Sequence, residues 1–185
     1  MSKLDNILEQ IQQREAHSTA HQPWNPSQCG DIDIRIASDG TWYHEGRPFR
    51  REQLVKLFAS VLRRETDGEY YLLTPAEKMR IQVDDAPYVI VQMEQINEPQ
   101  PALLFTTNLG DQVVADATHP IRVEFDPTTG EPRPYIHFRD NLDALINRSV
   151  YLSLVDIGEM FEHEGQSHLG VTSQGMRFDL GSVEE

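Results

Sequence analysis

The sequence is poor in cysteine, in positive charge and in long apolar runs, and each shortage excludes something. Cys29 is the single cysteine in 185 residues, so neither a disulfide framework nor a cysteine-based zinc site is open to the chain. Lysine and arginine number 16 against 30 acidic residues, a formal net charge of −14. Duplex nucleic acid needs a basic face to displace its counterions, and this surface does not offer one. Anionic membranes repel it for the same reason. No apolar run approaches the roughly 18 residues of a membrane-spanning helix. Charges interrupt every apolar stretch near the N-terminus, so no signal peptide is read there. With one thiol and no export signal, the cytoplasm is the expected location. A glycine-rich phosphate loop is missing, as is a Gly-x-Ser-x-Gly elbow. The histidines are scattered. His17 and His21 stand four apart with no third ligand near and read as part of a polar tail; His163 and His168 flank Gly165 in an acidic loop. No catalytic residue, metal site or cofactor is expected.

What is present is a patterned α+β chain. Apolar side chains make up 38%, enough for one core or two small ones. Leu4, Ile7, Leu8 and Ile11 recur at helical spacing behind Ser2, a residue type that caps helices, so an N-terminal helix is expected over 2–15. It serves either the chain's own core or a docked partner. A polar, proline-bearing linker follows over 17–26. Ile32-Asp33-Ile34-Arg35-Ile36 alternates as a strand. Asp39-Gly40 turns the chain into a second strand at Thr41-Trp42-Tyr43. Leu54, Leu57, Phe58, Val61 and Leu62 form one stripe and predict a helix over 51–64. Strands are expected over 70–74, 79–83, 88–93, 102–107, 112–116 and 121–125. Asp140 reads as the cap of a helix using Leu142, Leu145 and Ile146, residues 150–160 as a further helix, and 176–180 as a closing strand.

Four features recur in order. Residues 32–36 match Ile121-Arg122-Val123-Glu124-Phe125, Arg47-Pro48-Phe49 matches Arg133-Pro134-Tyr135, a helix follows each, and 79–83 match 176–180. The pattern reads as an internal duplication. It gives two tandem lobes, 1–85 and 86–185, each a small, mostly antiparallel sheet with one main helix. Charge divides unevenly: the first 93 residues carry a net −3 and the remainder −11. Arginine outnumbers lysine 13 to 3.

Several constellations admit a functional and a bland reading. Asp31, Asp33 and Arg35 share a strand face, as the wall of a ligand site or as an ordinary solvated face. Arg47, Arg50 and Arg51 precede the main helix, to meet an anion or to pair with Glu45, Glu52 and the acidic second half. Thr74 and Glu77 have capping-box spacing, which makes a local turn or a ligand-lining one. Trp42 either stacks on a base or sugar or fills the core. The candidate ligand-binding set is Asp31, Arg35, Trp42, Arg47, Arg50, Thr74 and Glu77.

The first half carries Cys29-Gly30-Asp31-Ile32-Asp33-Ile34-Arg35-Ile36 and Asp39-Gly40-Thr41-Trp42-Tyr43. It goes on through Tyr71-Leu72-Leu73-Thr74-Pro75-Ala76-Glu77-Lys78 to Asp84-Asp85-Ala86-Pro87-Tyr88. This string resembles a bacterial family known as domain of unknown function 1285. The resemblance implies an α+β fold of two repeated lobes, the second superficially like a pleckstrin-homology barrel. It also implies a nucleotide-like ligand at the lobe interface and a signalling role, and it assigns no functional residue. The leading expectation is thus a non-enzymatic module that binds a small anionic or nucleotide-like ligand. The alternative is a protein-interaction adaptor whose partner is basic.

Overall fold

The computed structural model describes residues 2–15 and 24–183. Most of the expected linker, with His17 and His21, lies outside the described residues. Two compact units, Met1–Asp85 and Ala86–Glu185, divide the chain.

The first unit opens with α1 (Lys3–Glu15). Ser2 Oγ accepts from the Asp5 backbone N–H at 3.1 Å, and the Asp5 carboxylate accepts from the Ser2 N–H at 2.9 Å. This reciprocal pair satisfies donors that a helix start leaves open. Ile7 and Ile11 are buried and Leu4 and Leu8 half-buried, so the helix spends its apolar stripe on packing. The strands β1 (Gln28–Ile36), β2 (Trp42–His44) and β3 (Arg47–Pro48) form a meander. Next come α2 (Glu52–Ala59) and a second meander of β4 (Leu62–Arg64), β5 (Tyr70–Leu73) and β6 (Glu77–Val83). The sheet order is β3-β2-β1-β6-β5-β4, antiparallel throughout except for the central parallel pair β1–β6. The strict alternation of β1 sends Ile32, Ile34 and Ile36 into the core with Trp42, Phe58, Leu72, Met79 and Ile81. Each such burial contributes roughly 1.5–3 kcal/mol before entropy is counted.

The helix over 51–64 is shorter than its stripe predicts. It ends at Ala59; Val61 is buried in the turn that follows and Leu62 opens β4. The Leu73 N–H donates to the Val61 carbonyl at 2.9 Å, and Leu62 pairs with Leu72. Apolar neighbours at 61 and 62 extend a helical stripe and begin a strand equally well; cross-strand pairing with β5 decides between them.

In the second unit β7 (Tyr88–Ile96), β8 (Ala102–Thr107) and β9 (Gln112–Val114) make one meander, and β10 (Ile121–Phe125), β11 (Pro132–Arg139) and β12 (Leu142–Ile146) another. Their order is β10-β11-β12-β7-β8-β9, again with one central parallel pair, β12–β7. This sheet curls into a half-barrel. After it come α3 (Arg148–Ile157), capped by the Asn147 side chain, and a three-stranded sheet of β13 (Glu159–His163), β14 (Gln166–Ser173) and β15 (Met176–Ser182). The buried Ser173 hydroxyl joins the two sheets. It accepts from the Leu103 N–H at 2.8 Å and donates to the Ala115 carbonyl at 2.6 Å.

Two expectations are corrected here. Asp140 caps no helix: it sits at φ 49° in the tight turn of the β11–β12 hairpin. Leu142, Ala144 and Ile146 are buried with a period of two, so they form a strand. The duplication lies in strand order, and the residue matches are misaligned. In each unit the first strand of one meander lies parallel to the last strand of the other, so β1 corresponds to β7 and β6 to β12. Residues 121–125 (β10), Arg133-Pro134 (β11) and 176–180 (β15) are therefore not the counterparts of β1, β3 and β6. The helices are not equivalent either, since α2 joins two meanders and α3 follows them. Apolar alternation looks the same in any half-buried strand, which is why matching by pattern slipped.

Candidate functional site

The first unit holds a cleft of about 390 Å³ on its sheet. It lies beside a register shift between the central strands. Asp31 is opposite Arg80, but the next pair is Arg35 with Gln82, so β1 advances four residues while β6 advances two. The surplus residues of β1 have no partner on β6, a bulge in a parallel pair. Asp31 and Ile32 line the opening from β1, Arg80, Ile81, Gln82 and Val83 from β6, and Gly68, Glu69 and Tyr70 from the turn entering β5.

Its polar groups are few and of both signs. Arg80 Nε donates to Asp31 Oδ1 at 2.8 Å. The Arg80 terminal nitrogens carry no hydrogen bond among the described residues, and both side chains are exposed. This bond to the Asp31 carboxylate raises the Arg80 pKa further, so its charge is constant. A guanidinium fork half in use matches a carboxylate or phosphate. The second oxygen of Asp31 and the Glu69 carboxylate can accept from hydroxyl or amino groups.

Of the candidate set, Asp31 lies in this cleft and the other six do not. Arg35 is held by Asp84, with Nη2 2.6 Å from Oδ2 and Nε 3.0 Å from Oδ1; its guanidinium also lies 5.6 Å from the Tyr43 ring centroid. The hydrogen bond from Arg35 lowers the Asp84 pKa. Trp42 is 2% exposed, so its ring is part of the core. Thr74 is buried; its hydroxyl donates to the Glu77 carbonyl at 3.0 Å and accepts from the Glu77 N–H at 3.1 Å. Those two residues make the β5–β6 turn. Arg47 and Arg50 are exposed on and after β3 and make no ion pair among the described residues, while Glu52 pairs with Lys56 at 2.7 Å.

Arg80, Glu69 and Gln82 escaped the sequence reading. The alternation of residues 79–83 places Arg80 and Gln82 on the outer face, but it does not say which strand lies beside them. The neighbouring Tyr71 hydroxyl donates to Asp67 at 2.7 Å, which pushes its pKa up to about 12. The second unit has a groove of about 220 Å³, with Ile96, Leu103, Ile157 and Val171 among its lining. That is below the usual range for small-molecule sites. No helix of the described residues is long and apolar enough to cross a membrane.

The architecture defines a tandem α+β protein of two sheet-dominated lobes. Residues 20–86 match the N-terminal domain of DUF1285, a domain of unknown function, and residues 87–180 match the C-terminal domain of that protein of unknown function. The chain belongs to the DUF1285 family. A solved structure of a DUF1285 family protein from Silicibacter pomeroyi is 44% identical, with a TM-score of 0.81, covering 96% of this chain and 95% of that one. A second, from Shewanella baltica, is 29% identical with a TM-score of 0.52 and covers 66% of this chain and 90% of that one. No curated protein matches.

Proposed function

We propose that the chain is a non-enzymatic ligand-binding protein. Its site is the cleft between β1, β6 and the turn into β5, and its ligand is a small molecule carrying an anionic group together with hydroxyl or amino donors. Nucleotides are the leading class. The observation that carries the reading is the register shift between β1 and β6 beside Arg80, whose terminal guanidinium nitrogens carry no hydrogen bond among the described residues, in a cleft of about 390 Å³. That volume falls within the usual range for small-molecule sites. Arg80 meets the anion, and Asp31 and Glu69 take the donors. The site lies wholly within the first unit.

The test is a thermal-shift screen against nucleotides, dinucleotides and anionic metabolites. A ligand at a hundred times its dissociation constant stabilises by about 2.7 kcal/mol, several degrees for a chain of this size. One class should raise the melting temperature of the wild type and fail to raise that of Arg80→Ala. No shift across the panel overturns the reading.

A protein-interaction adaptor is the second reading. It draws on the chain's net charge of −14. It predicts a basic partner whose binding weakens as salt is raised, and no partner at low salt overturns it.

A further inference from the structure

One strand of the second unit has a free side. Among the described residues β13 pairs with β14 alone. At the other end of that sheet, β15 lies beside β10 with the Phe125 ring over Gly181. An unpaired row of N–H and C=O groups is a template for another strand. Met160 is 56% exposed, Glu159, Glu162 and His163 are exposed, and Phe161 is half-buried.

Charged side chains commonly protect such edges. Whether these do so depends on what they would face. In an antiparallel ladder two directly opposed residues are both hydrogen-bonded or both non-hydrogen-bonded. A strand can therefore pair with its own copy only about a residue, and the middle of this strand is Phe161. In that register Glu159 of one copy faces His163 of the other, at both ends. Met160 faces Glu162, and Phe161 faces Phe161. Centring on Glu162 instead sets two carboxylates against each other, and centring on Met160 leaves the end of the strand unpaired. The run Glu159-Met160-Phe161-Glu162-His163 is thus self-complementary in the one register that pairs the whole strand. Phe161 already has the Arg177 guanidinium 4.9 Å from its ring centroid and the His168 ring at 5.7 Å. A second Phe161 adds an aromatic pair to that cluster.

We infer that β13 is the seam of a twofold dimer. A second copy of the chain adds its own β13 antiparallel, the two three-stranded sheets become continuous, and a Glu159–His163 pair closes each end. The interface is isologous, as a closed dimer requires.

Sedimentation velocity of the full chain over a wide concentration range tests this. The wild type should reach twice 21.2 kDa. His163→Glu sets a carboxylate opposite Glu159 and should weaken association at least tenfold. Combining it with Glu159→Lys exchanges the two charges and should restore the dimer. Both positions are exposed, so melting temperatures should stay level and separate lost association from lost folding. A wild type monomeric at every concentration overturns the inference, including one whose β13 takes up a basic peptide instead. So does a dimer indifferent to His163→Glu.

Discussion

Ser173→Ala removes one oxygen atom, and the geometry says what that costs. Ser173 is fully buried in the second unit. Its hydroxyl links the end of β14 to the β8–β9 hairpin, accepting from the Leu103 N–H at 2.8 Å and donating to the Ala115 carbonyl at 2.6 Å. Leu103 and Ala115 are themselves buried, so water cannot replace the lost partner without opening the barrel. Leaving a buried donor or acceptor unsatisfied costs about 1–3 kcal/mol each, and two are left, so the expected loss is about 2–6 kcal/mol. That is a large part of the ~5–15 kcal/mol by which domains are stable. Urea unfolding followed by far-ultraviolet circular dichroism measures it. Ser153→Ala is the control: that hydroxyl bonds the Ser149 carbonyl on the exposed face of α3, and its loss should change stability by less than ~0.5 kcal/mol. If Ser173→Ala also stays within ~0.5 kcal/mol of wild type, the hydroxyl does not join the sheets and the packing described for this unit is wrong.

Three further outcomes are expected. Gln10 Oε1 on α1 is buried and has no donor among the described residues, so Gln10→Met, of similar shape, should raise stability by about 1 kcal/mol in urea; a loss would mean that the amide is satisfied. Gly181 has a φ of 130°, and a Cβ there would meet the Phe125 ring at 2.8 Å, so Gly181→Ala should cost about 1–3 kcal/mol, and a neutral result would contradict the β10–β15 packing. Burial alone would raise the Asp116 pKa, but hydrogen bonds from Thr118 and His119 outweigh it and bring the value to about 2. Because this is below the ordinary ~3.9, the carboxylate adds stability above that value and withdraws it as pH falls toward 2. Asp116→Asn should flatten stability between pH 5 and 2, and an unchanged slope would refute the assignment.

Local features of the fold were legible because local chemistry decides them. Ser2 and Asp5 close their own helix start, and Asp39-Gly40 supplies the turn that Ala37 and Thr41 bracket with backbone bonds. The alternation over 32–36 and 121–125 marks strands whatever their neighbours. Pairings across long stretches of chain were not legible. Nothing in residues 28–36 announces that they lie parallel to 77–83, because parallel pairing leaves no turn signal and depends on the whole sheet assembling. The same gap hid most of the site. Asp31 was picked for its exposed strand face, while Arg80 became its partner only through that parallel pair, 49 residues away. Trp42 is read from its residue type and Thr74 from its spacing to Glu77; burial places the first in the core, and its bonds to Glu77 place the second in the β5–β6 turn. The half-turn of apolar residues after Ala59 shows the remaining difficulty: Val61 and Leu62 satisfy two periodicities, and only the backbone bonds to β5 choose.

We propose that the cleft beside the β1–β6 register shift holds the ligand. An amide nuclear magnetic resonance titration of the full chain with the best nucleotide or anion from the thermal screen tests it most directly. The account predicts that the largest shifts fall on Asp31, Ile32, Gly68, Glu69, Tyr70 and residues 80–83, and that Arg80→Ala removes them. Shifts confined to residues 47–51, or spread over the second unit with 80–83 unmoved, would contradict it.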